Sequence, residues 1–234
     1  MPRSSSFRTD FENHKDTYRQ EIQNSISFIG QNLDFFTQVK VDCLLDLTRR
    51  YVGGSNRLKI LDVGCGVGIT DQYLTGYYQK LYGVDLSPGV VRKAKQLNPR
   101  ASYRHYAGRT LPYASNSMDV TFAICVMHHV PPEGLGRFAL EMTRVTRKGG
   151  LVVVIEHNPW NPLTQIAVSR CEMDDDAILL RSRKVEELLK VNGDIVEKRY
   201  ILFTPFPVRP FRFLAPFLGK FPLGAQYYVA ARKK

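Results

Sequence analysis

Lys59-Ile-Leu-Asp-Val-Gly-Cys-Gly-Val-Gly68 contains the clearest signal of the fold, because an apolar strand pattern breaks there into three glycines at alternate positions. Glycines lack a Cβ atom, so the backbone can turn sharply and approach a ligand closely before a helix begins. A second apolar run, Leu81-Tyr-Gly-Val-Asp85, ends in an acid roughly 20 residues beyond Gly64, the distance at which an acid meets the ribose of a nucleotide. Together, the two runs predict a nucleotide-binding site at the carboxyl ends of two strands.

Strand-like and helix-like patterns alternate along the rest of the chain. Residues from about 11 to 50 show helical spacing of apolar side chains, and a helix that begins with proline is expected after Ser87. Leu151-Val-Val-Val-Ile155 is largely β-branched, which is typical of a strand buried on both faces of a parallel sheet. Further strands are predicted at 101–107 and 118–127, and a further helix at 135–147. This alternation predicts a doubly wound α/β sheet that binds ligands at the carboxyl ends of its strands.

These segments resemble the class I S-adenosylmethionine (SAM) dependent methyltransferases of the small-molecule type, whose first strand typically contains Leu-Asp-Val-Gly-Cys-Gly-x-Gly. The resemblance covers roughly residues 57–157. Three later segments support it: Leu111-Pro-Tyr-Ala-Ser-Asn-Ser-Met-Asp119, Met127-His-His-Val130 and Arg144-Val-Thr-Arg-Lys-Gly-Gly150. In order, they resemble the Leu-Pro-Phe-x-x-x-x-Phe-Asp, Leu-His-His and Leu-Lys-Pro-Gly-Gly segments of the family.

The resemblance implies a Rossmann-like, mostly parallel seven-stranded sheet with helices on both faces and an antiparallel hairpin at the carboxyl end. The two hairpin strands are expected at 200–205 and 225–231. A single domain is expected over residues 1–234, because this length suits one α/β unit. Its parts are a helical cap at 1–56, a SAM-binding core at 57–157, and acceptor-side helices with the hairpin at 158–234.

The resemblance also implies SAM as the cofactor and S-adenosylhomocysteine as its product. Many relatives place an acid after the third strand to bind the adenine amine, whereas this chain has Ala107-Gly-Arg109 there. Adenine is therefore expected to meet backbone groups near 109–111. The expected cofactor-binding residues are Tyr18, Asp62, Gly64, Cys65, Gly66, Gly68, Asp85, Leu86, Gly108, Arg109, Thr110, Leu111, Cys125, Val126 and His129.

The spacing of the glycines and the acid also fits an NAD-dependent reductase, which stays as an alternative. Two observations disfavour it: the pattern is Gly-x-Gly-x-Gly rather than Gly-x-Gly-x-x-Gly, and Asp62 lies where it would repel a pyrophosphate. A sulfonium cation, by contrast, is compatible with a nearby carboxylate. A SAM-binding regulatory protein without catalytic activity is the second alternative.

The methyl acceptor is expected to be an oxygen, or less favourably a nitrogen or carbon, of a small or lipid-linked metabolite. A hydroxyl acceptor usually needs a base or a metal to remove its proton, and histidine has a suitable pKa near neutrality. His157, His128 and Glu156 are the predicted catalytic residues, because they lie at the ends of the fourth and fifth strands. His157 is the one expected to face the acceptor.

The acids Asp174-Asp-Asp176 suggest a metal site together with His157. Three consecutive carboxylates point in different directions on most backbones, and acids are favourable at the start of a helix, here predicted at 177–180. No metal is therefore expected. The four cysteines are scattered without a Cys-x-x-Cys pair, which disfavours both a zinc knot and a disulfide framework.

Positive charge is concentrated near the carboxyl end, where Lys198–Lys234 contain eight Lys and Arg and no acid, in a chain of net charge +11. A segment rich in phenylalanine and basic residues, 206–222, is inserted between the predicted hairpin strands. Three interpretations are open: a lid over the acceptor, a peripheral contact with anionic membrane, or a structural cover for the sheet edge. Binding of nucleic acid is disfavoured, because no RNA-binding signature accompanies the basic and aromatic residues.

The chain contains no run of roughly 18 apolar residues that would predict a membrane span. Its first residues lack the apolar core of a signal peptide. A cytoplasmic protein is therefore expected. The sequence leaves the oligomeric state and the identity of the methyl acceptor open.

Overall fold

The computed structural model describes residues 11–203 and 219–234. Helices α1 at Tyr18–Ser25 and α2 at Leu33–Tyr51 lie before the first strand. The strands described are β1 Lys59–Val63, β2 Lys80–Asp85, β3 Ser102–His105, β4 Met118–Ile124, β5 Thr146–His157, β6 Gly193–Ile201 and β7 Gln226–Lys233. The later helices are α3 Ile69–Leu74, α4 Pro88–Leu97, α5 Leu135–Val145, α6 Pro162–Val168 and α7 Ser182–Lys190. Short 3-10 turns lie at Ser27–Ile29, Met127–His129 and Glu172–Asp174.

These strands form one sheet in the order β3-β2-β1-β4-β5-β7-β6. Strands β1 to β5 are parallel, whereas β7 is antiparallel to both of its neighbours, β5 and β6. The predicted Rossmann-like, mostly parallel seven-stranded sheet with an antiparallel hairpin is therefore confirmed. The strand order reverses between β1 and β4, and a reversal of this kind leaves a crevice for a ligand at the carboxyl ends of the strands.

Helices cover both faces of the sheet, as the alternating side chains of the central strands show. On one face, Leu61 of β1 and Val152 and Val154 of β5 belong to a cluster that includes α5 and α7. On the other face, Ile60 and Val153 belong to a cluster that includes α2 and α3. All five side chains are buried. The apolar run in β5 is thus buried on both faces, as predicted.

The boundary between α5 and β5 differs from the prediction. The helix ends at Val145 and the strand begins at Thr146, whereas the sequence predicts a helix that continues to Arg147. The Thr146 side-chain oxygen lies 2.7 Å from the carbonyl oxygen of Met142 and 2.8 Å from the side-chain oxygen of Thr121. These contacts bind the start of the strand both to the end of the helix and to β4.

Strand β6 also differs, because it occupies Gly193–Ile201 rather than the predicted 200–205. It is an edge strand and pairs with β7 over its length. Edge strands tolerate charged side chains, so the run that contains Asp194, Glu197, Lys198 and Arg199 lacks the apolar signature of a central strand.

The predicted insertion at 206–222 falls outside the described residues, except for 219–222. Its interpretations as a lid, a membrane contact or a structural cover therefore stay predictions. Each helix in the described part of the chain is too short or too polar to cross a membrane.

Candidate active site

A cavity of about 880 Å³ lies at the carboxyl ends of β1, β2, β4 and β5. This volume is toward the upper end of the roughly 300–1,000 Å³ of ligand pockets, so the cavity can hold more than one small molecule. The predicted site residues on its wall are Tyr18, Gly64, Gly66, Asp85, Leu86, Gly108, Arg109, Leu111, Cys125, Val126, His129 and His157. The predicted site residues that do not line it are Asp62, Cys65, Gly68, Thr110, His128 and Glu156.

The glycine loop after β1 forms one end of the cavity. Gly64 and Gly66 have φ angles of +80° and +54°, in the region that L side chains rarely adopt. A Cβ atom on Gly64 would lie 2.6 Å from the Val126 side chain, and one on Gly66 would lie 2.9 Å from the Tyr18 hydroxyl oxygen. The loop thus needs glycine for both its backbone conformation and its close packing, and it leaves a space that a ligand can enter.

Asp85, the last residue of β2, faces the cavity beside this loop. Its Oδ2 accepts a hydrogen bond of 3.0 Å from the Gly66 N–H, and its Oδ1 accepts one of 3.0 Å from the Ser87 N–H. Burial raises the pKa of the Asp85 carboxyl, although these backbone bonds oppose the effect. A carboxylate oxygen has more than one acceptor position, so Asp85 can still accept hydrogen bonds from the hydroxyl groups of a ribose.

Asp62 lies behind the loop instead of on the cavity wall. It is buried beside Asp71 of α3, whose Oδ2 accepts a hydrogen bond of 2.7 Å from the Tyr103 hydroxyl. Burial and the Asp71 carboxylate raise the pKa of Asp62 well above its ordinary range. Burial also raises the pKa of Asp71, to about 7. The two acids therefore hold a proton between them near neutral pH, and the expected contact of Asp62 with SAM stays a prediction.

Two further predicted contacts lie under the loop. The Cys65 side chain is buried in a small cluster that contains Val91, Ala94 and Tyr103. The Gly68 carbonyl oxygen accepts a hydrogen bond of 2.9 Å from the Asn98 side chain. Both residues support the loop from behind.

The segment after β3, where adenine is expected, presents Gly108, Arg109 and Leu111 to the cavity. The Leu111 N–H donates a hydrogen bond of 2.8 Å to Glu141 of α5, so this backbone donor is already used. Thr110 is exposed to solvent and does not line the cavity. The backbone groups of Gly108 and Arg109 are the ones left to contact a base.

A buried ion pair joins the ends of β4 and β5. The His128 Nδ1 lies 2.6 Å from Glu156 Oε2. The other oxygen of Glu156 accepts hydrogen bonds from the N–H groups of Val126 and Met127, at 3.0 and 2.7 Å. Burial favours the neutral forms, but the mutual attraction prevails: it raises the pKa of His128 and lowers that of Glu156. Glu156 thereby fixes both the backbone after β4 and the His128 ring.

Asp174 comes from the far side of the cavity and meets this pair. Its Oδ1 lies 3.5 Å from His128 Nε2 and 3.3 Å from His129 Nε2. Asp174 ends the 3-10 turn Glu172–Asp174, and the helix predicted at 177–180 does not form, so that prediction was wrong. A short turn directs one acid inward and leaves the next two, Asp175 and Asp176, exposed.

His157 ends β5 and lies on the cavity wall, with its ring centroid 5.2 Å from that of His128. Burial, together with the positive charge of His128, lowers the pKa of His157 to about 4. Its imidazole is therefore neutral near pH 7. A neutral ring has one nitrogen that can accept a hydrogen bond or bind a metal ion.

Gln226 is a site residue that the sequence analysis missed. It begins β7 directly opposite His157 in the antiparallel pair, and its Nε2 lies 3.4 Å from His157 Nδ1 and 3.3 Å from Cys125 Sγ. Cys125 has a φ of +56°, a strained conformation for a residue other than glycine. The register between β5 and β7 brings these groups together, and no motif signals that register.

The second half of the cavity is mostly apolar. Asn161 caps the amino end of α6, because its Oδ1 accepts a hydrogen bond of 3.1 Å from the Thr164 N–H. Lys40 of α2, half-buried, adds a positive charge to this half. The apolar side chains that line it are Ile22, Ile26, Ile29, Leu33, Phe36, Leu163, Val168, Met173, Leu202 and Phe203.

Residues 61–154, from β1 through most of β5, match a protein family described as a methyltransferase domain. This stretch, which is less than half of the chain, is therefore similar to methyltransferase domains. The matched residues contain the glycine loop, Asp85 and His128. His157 and Asp174, which also line the cavity, lie beyond the match.

Two curated relatives match this methyltransferase domain. The 2-methyl-6-phytyl-1,4-hydroquinone methyltransferase of Synechocystis sp. is 31% identical over 134 residues, which are 54% of this chain and 40% of that protein. The chloroplastic tocopherol O-methyltransferase of Arabidopsis thaliana is 25% identical over 156 residues, which are 56% of this chain and 44% of that protein. The aligned region thus spans less than half the length of either relative.

A solved structure extends the likeness of the methyltransferase fold to nearly the whole chain. The SAM-dependent methyltransferase of Thermotoga maritima, described as a possible histamine N-methyltransferase, superposes with a TM-score of 0.70. The superposition covers 97% of this chain and 100% of that chain at 16% identity. At this level of identity the comparison shows the fold alone.

Proposed function

We propose that this protein transfers a methyl group from SAM to an oxygen atom of a small or lipid-linked acceptor and releases S-adenosylhomocysteine. The observation that carries the proposal is the continuity of the cavity, which runs from the glycine loop and Asp85 to His157 and the apolar wall. A donor and an acceptor can therefore lie end to end in one space. Such alignment is the main requirement of direct methyl transfer.

The residues at the loop end fit SAM. Gly64 and Gly66 leave the space that Cβ atoms would occupy, and Asp85 presents acceptor atoms for the ribose hydroxyl groups. Tyr18 packs against Gly66 on the cavity wall, where it can cover the cofactor. When bound, SAM supplies a methyl group that is already activated as an electrophile. The loop contains no lysine or arginine, which a dinucleotide pyrophosphate would favour.

The apolar half of the cavity supports an acceptor with an apolar body. One curated relative is named for a phytyl hydroquinone and the other for a tocopherol. We propose an acceptor of that kind, in which an aromatic hydroxyl group is joined to an apolar substituent. Ten apolar side chains would surround the substituent, and the hydroxyl group would be the polar part that enters the deep end near His157.

His157 is the residue placed to act on the acceptor oxygen, because its neutral ring lies on the cavity wall. Its free nitrogen can accept a hydrogen bond from the hydroxyl group and orient an oxygen lone pair toward the methyl carbon. As the O–C bond forms, the hydroxyl proton becomes strongly acidic, so even a weak base can take it. His128 and Glu156 lie behind His157, where they position the end of β4 rather than contact the acceptor.

Isothermal titration with SAM, S-adenosylhomocysteine and NADH tests the cofactor. We expect SAM and S-adenosylhomocysteine to bind, and Asp85→Ala to weaken both by about tenfold or more, since each hydrogen bond to a charged group is worth roughly 1.5–3 kcal/mol. Asp194→Ala is the control, because that side chain is 72% exposed and far along the sheet from the loop. Binding of NADH alone would support the reductase alternative and overturn the proposal.

Turnover separates an enzyme from a SAM-binding regulatory protein. The protein is incubated with SAM labelled in its methyl group and with a series of alkylated hydroquinones and phenols. We expect the label in an ether product, with faster transfer as the apolar substituent lengthens. Binding of SAM without transfer to any oxygen, nitrogen or carbon acceptor in the series would favour the regulatory alternative.

A further inference from the structure

The buried group at the deep end of the cavity has the geometry of a metal site. One ligand atom from each of His128, His157 and Asp174 can be chosen so that all three lie within 4.8 Å of one another. Asp174 Oδ1 lies 3.5 Å from His128 Nε2. Ligand atoms at the roughly 2.0–2.2 Å bond lengths of a tetrahedral zinc site stand roughly 3.4 Å apart. His128 and Asp174 thus already hold two atoms at the spacing of two ligands of one ion, and His157 offers a third ligand atom in the same group.

The environment of His128 supplies an independent observation. Its Nε2 is buried and has no hydrogen-bond partner among the described residues. Its Nδ1 lies 2.6 Å from Glu156, so Nδ1 carries the proton of that bond and Nε2 points toward Asp174. A bound ion would replace the proton that the charged ring holds on Nε2. A carboxylate that holds one nitrogen of a histidine while the other binds a metal is a recurring arrangement in metalloproteins.

Gln226 can orient His157 in the same way. Its Oε1 is buried without a hydrogen-bond partner in the described part of the chain, while its Nε2 faces His157 Nδ1 at 3.4 Å. The two ends of an amide are assigned from hydrogen bonding, so the amide can equally be turned by 180°. Oε1 then accepts a hydrogen bond from His157 Nδ1–H, which leaves Nε2 of His157 free to bind an ion.

We propose that His128, His157 and Asp174 bind a divalent transition-metal ion, with Glu156 and Gln226 orienting the two imidazoles. Two imidazoles and one carboxylate suit Zn²⁺, Fe²⁺ or Co²⁺, whereas Mg²⁺ and Ca²⁺ prefer sites made only of oxygen atoms. Three protein ligands leave at least one coordination position open, as in catalytic metal sites. His157 and Asp174 lie on the cavity wall, so the open position faces the cavity.

This site differs from the one that the sequence disfavours. The disfavoured site takes ligands from Asp174, Asp175 and Asp176 together, whereas the site in the structure needs only Asp174 of the three. An ion in this position would occupy the His157 nitrogen that otherwise accepts the hydroxyl hydrogen bond. The ion itself would then contact an oxygen that enters the deep end of the cavity and would lower the pKa of a hydroxyl group there. That consequence rests on the proposed methyl transfer, but binding of the metal ion does not.

The test is titration of the chelator-treated, dialysed protein with ZnCl₂ and CoCl₂, without SAM or acceptor. We expect one ion per chain by calorimetry, and a visible Co²⁺ absorption band typical of four or five nitrogen and oxygen ligands. Asp174→Asn is expected to weaken binding by about 100-fold. Asp175→Asn, one residue along the chain and exposed, is the matched control and should bind within about threefold of the unmodified protein.

His157→Ala is a second test, because this side chain lies on the cavity wall and its loss is tolerated more easily than a change in the buried core. It should lose the Co²⁺ band as well. The absence of metal binding to the unmodified protein, or equal binding by Asp174→Asn and Asp175→Asn, would overturn the proposal. Titration of each variant with SAM shows that the domain is folded and keeps failure of the metal site distinct from failure of the proposed function.

Discussion

The acid pair Asp62 and Asp71 behind the glycine loop is expected to make the stability of the protein depend on pH. Both side chains are buried, and burial raises the pKa of Asp71 to about 7. A group with a raised pKa in the folded protein contributes its full stabilisation below the pKa of the unfolded chain. It loses that contribution as the pH rises toward the folded pKa. The free energy of unfolding that this pair contributes should therefore fall between about pH 4 and pH 7.

The size of the effect follows from the two pKa values. The ordinary value of 3.8 for the unfolded chain and the folded value of about 7 correspond to a change of about 4 kcal/mol. Asp71→Asn keeps the shape of the side chain and an oxygen that accepts the hydrogen bond from Tyr103, but it has no proton to lose. Relative to the unmodified protein, the variant should gain up to about 4 kcal/mol of stability between pH 4 and pH 7.5.

Urea unfolding, followed by circular dichroism at several pH values in this range, measures the effect. The quantity of interest is the difference in free energy of unfolding between variant and unmodified protein, because acids with lowered pKa values, such as Glu141, act in the opposite direction in both proteins. Asp175→Asn, at an exposed position, is the control and should show no such trend. A difference that stays constant across the pH range would show that Asp71 does not lose a proton within it.

Two other substitutions test the catalytic and the loop assignments. His157→Ala is expected to lower turnover by about 100-fold while changing SAM affinity less than about threefold; equal loss of both, or of neither, contradicts the assignment. Gly64→Ala should destabilise the domain by roughly 2 kcal/mol or more, because its φ is +80° and the new Cβ would lie 2.6 Å from Val126. Gly136→Ala on α5, where a Cβ meets nothing within 4 Å, is the matched control for urea unfolding.

The central sheet could be predicted from sequence because its signals are local. The glycine loop follows directly on β1, Asp85 ends β2, and the apolar run of β5 is continuous. Each of these features depends on neighbours in the chain and on burial, which single-sequence patterns report well. Strand β6 was misplaced for the opposite reason, because an edge strand with one solvated face is defined by its pairing with β7 rather than by composition.

Most of the residues predicted to bind the cofactor line the cavity, whereas of the three predicted catalytic residues His157 alone does. The loop glycines and the strand-end acids are adjacent in sequence to the strands. Their positions in the fold therefore follow once the strands are assigned. The group of His128, His157 and Asp174 depends instead on three separate segments that meet only in the folded chain. Gln226 belongs to the group through the register of β7 against β5, and a shift of one residue would turn its side chain to the other face.

The buried ionisable side chains point to the candidate site independently of any comparison with known proteins. Among the described residues, the buried aspartates, glutamates and histidines are Asp62, Asp71, His128 and Glu156. Asp62 and Glu156 lie near the carboxyl ends of β1 and β5, Asp71 lies just beyond the glycine loop, and His128 follows β4. Burial of such groups opposes folding unless partners compensate, so a core selected for stability alone would replace them with apolar residues. Their confinement to one end of the sheet is consistent with the binding and catalytic site proposed there.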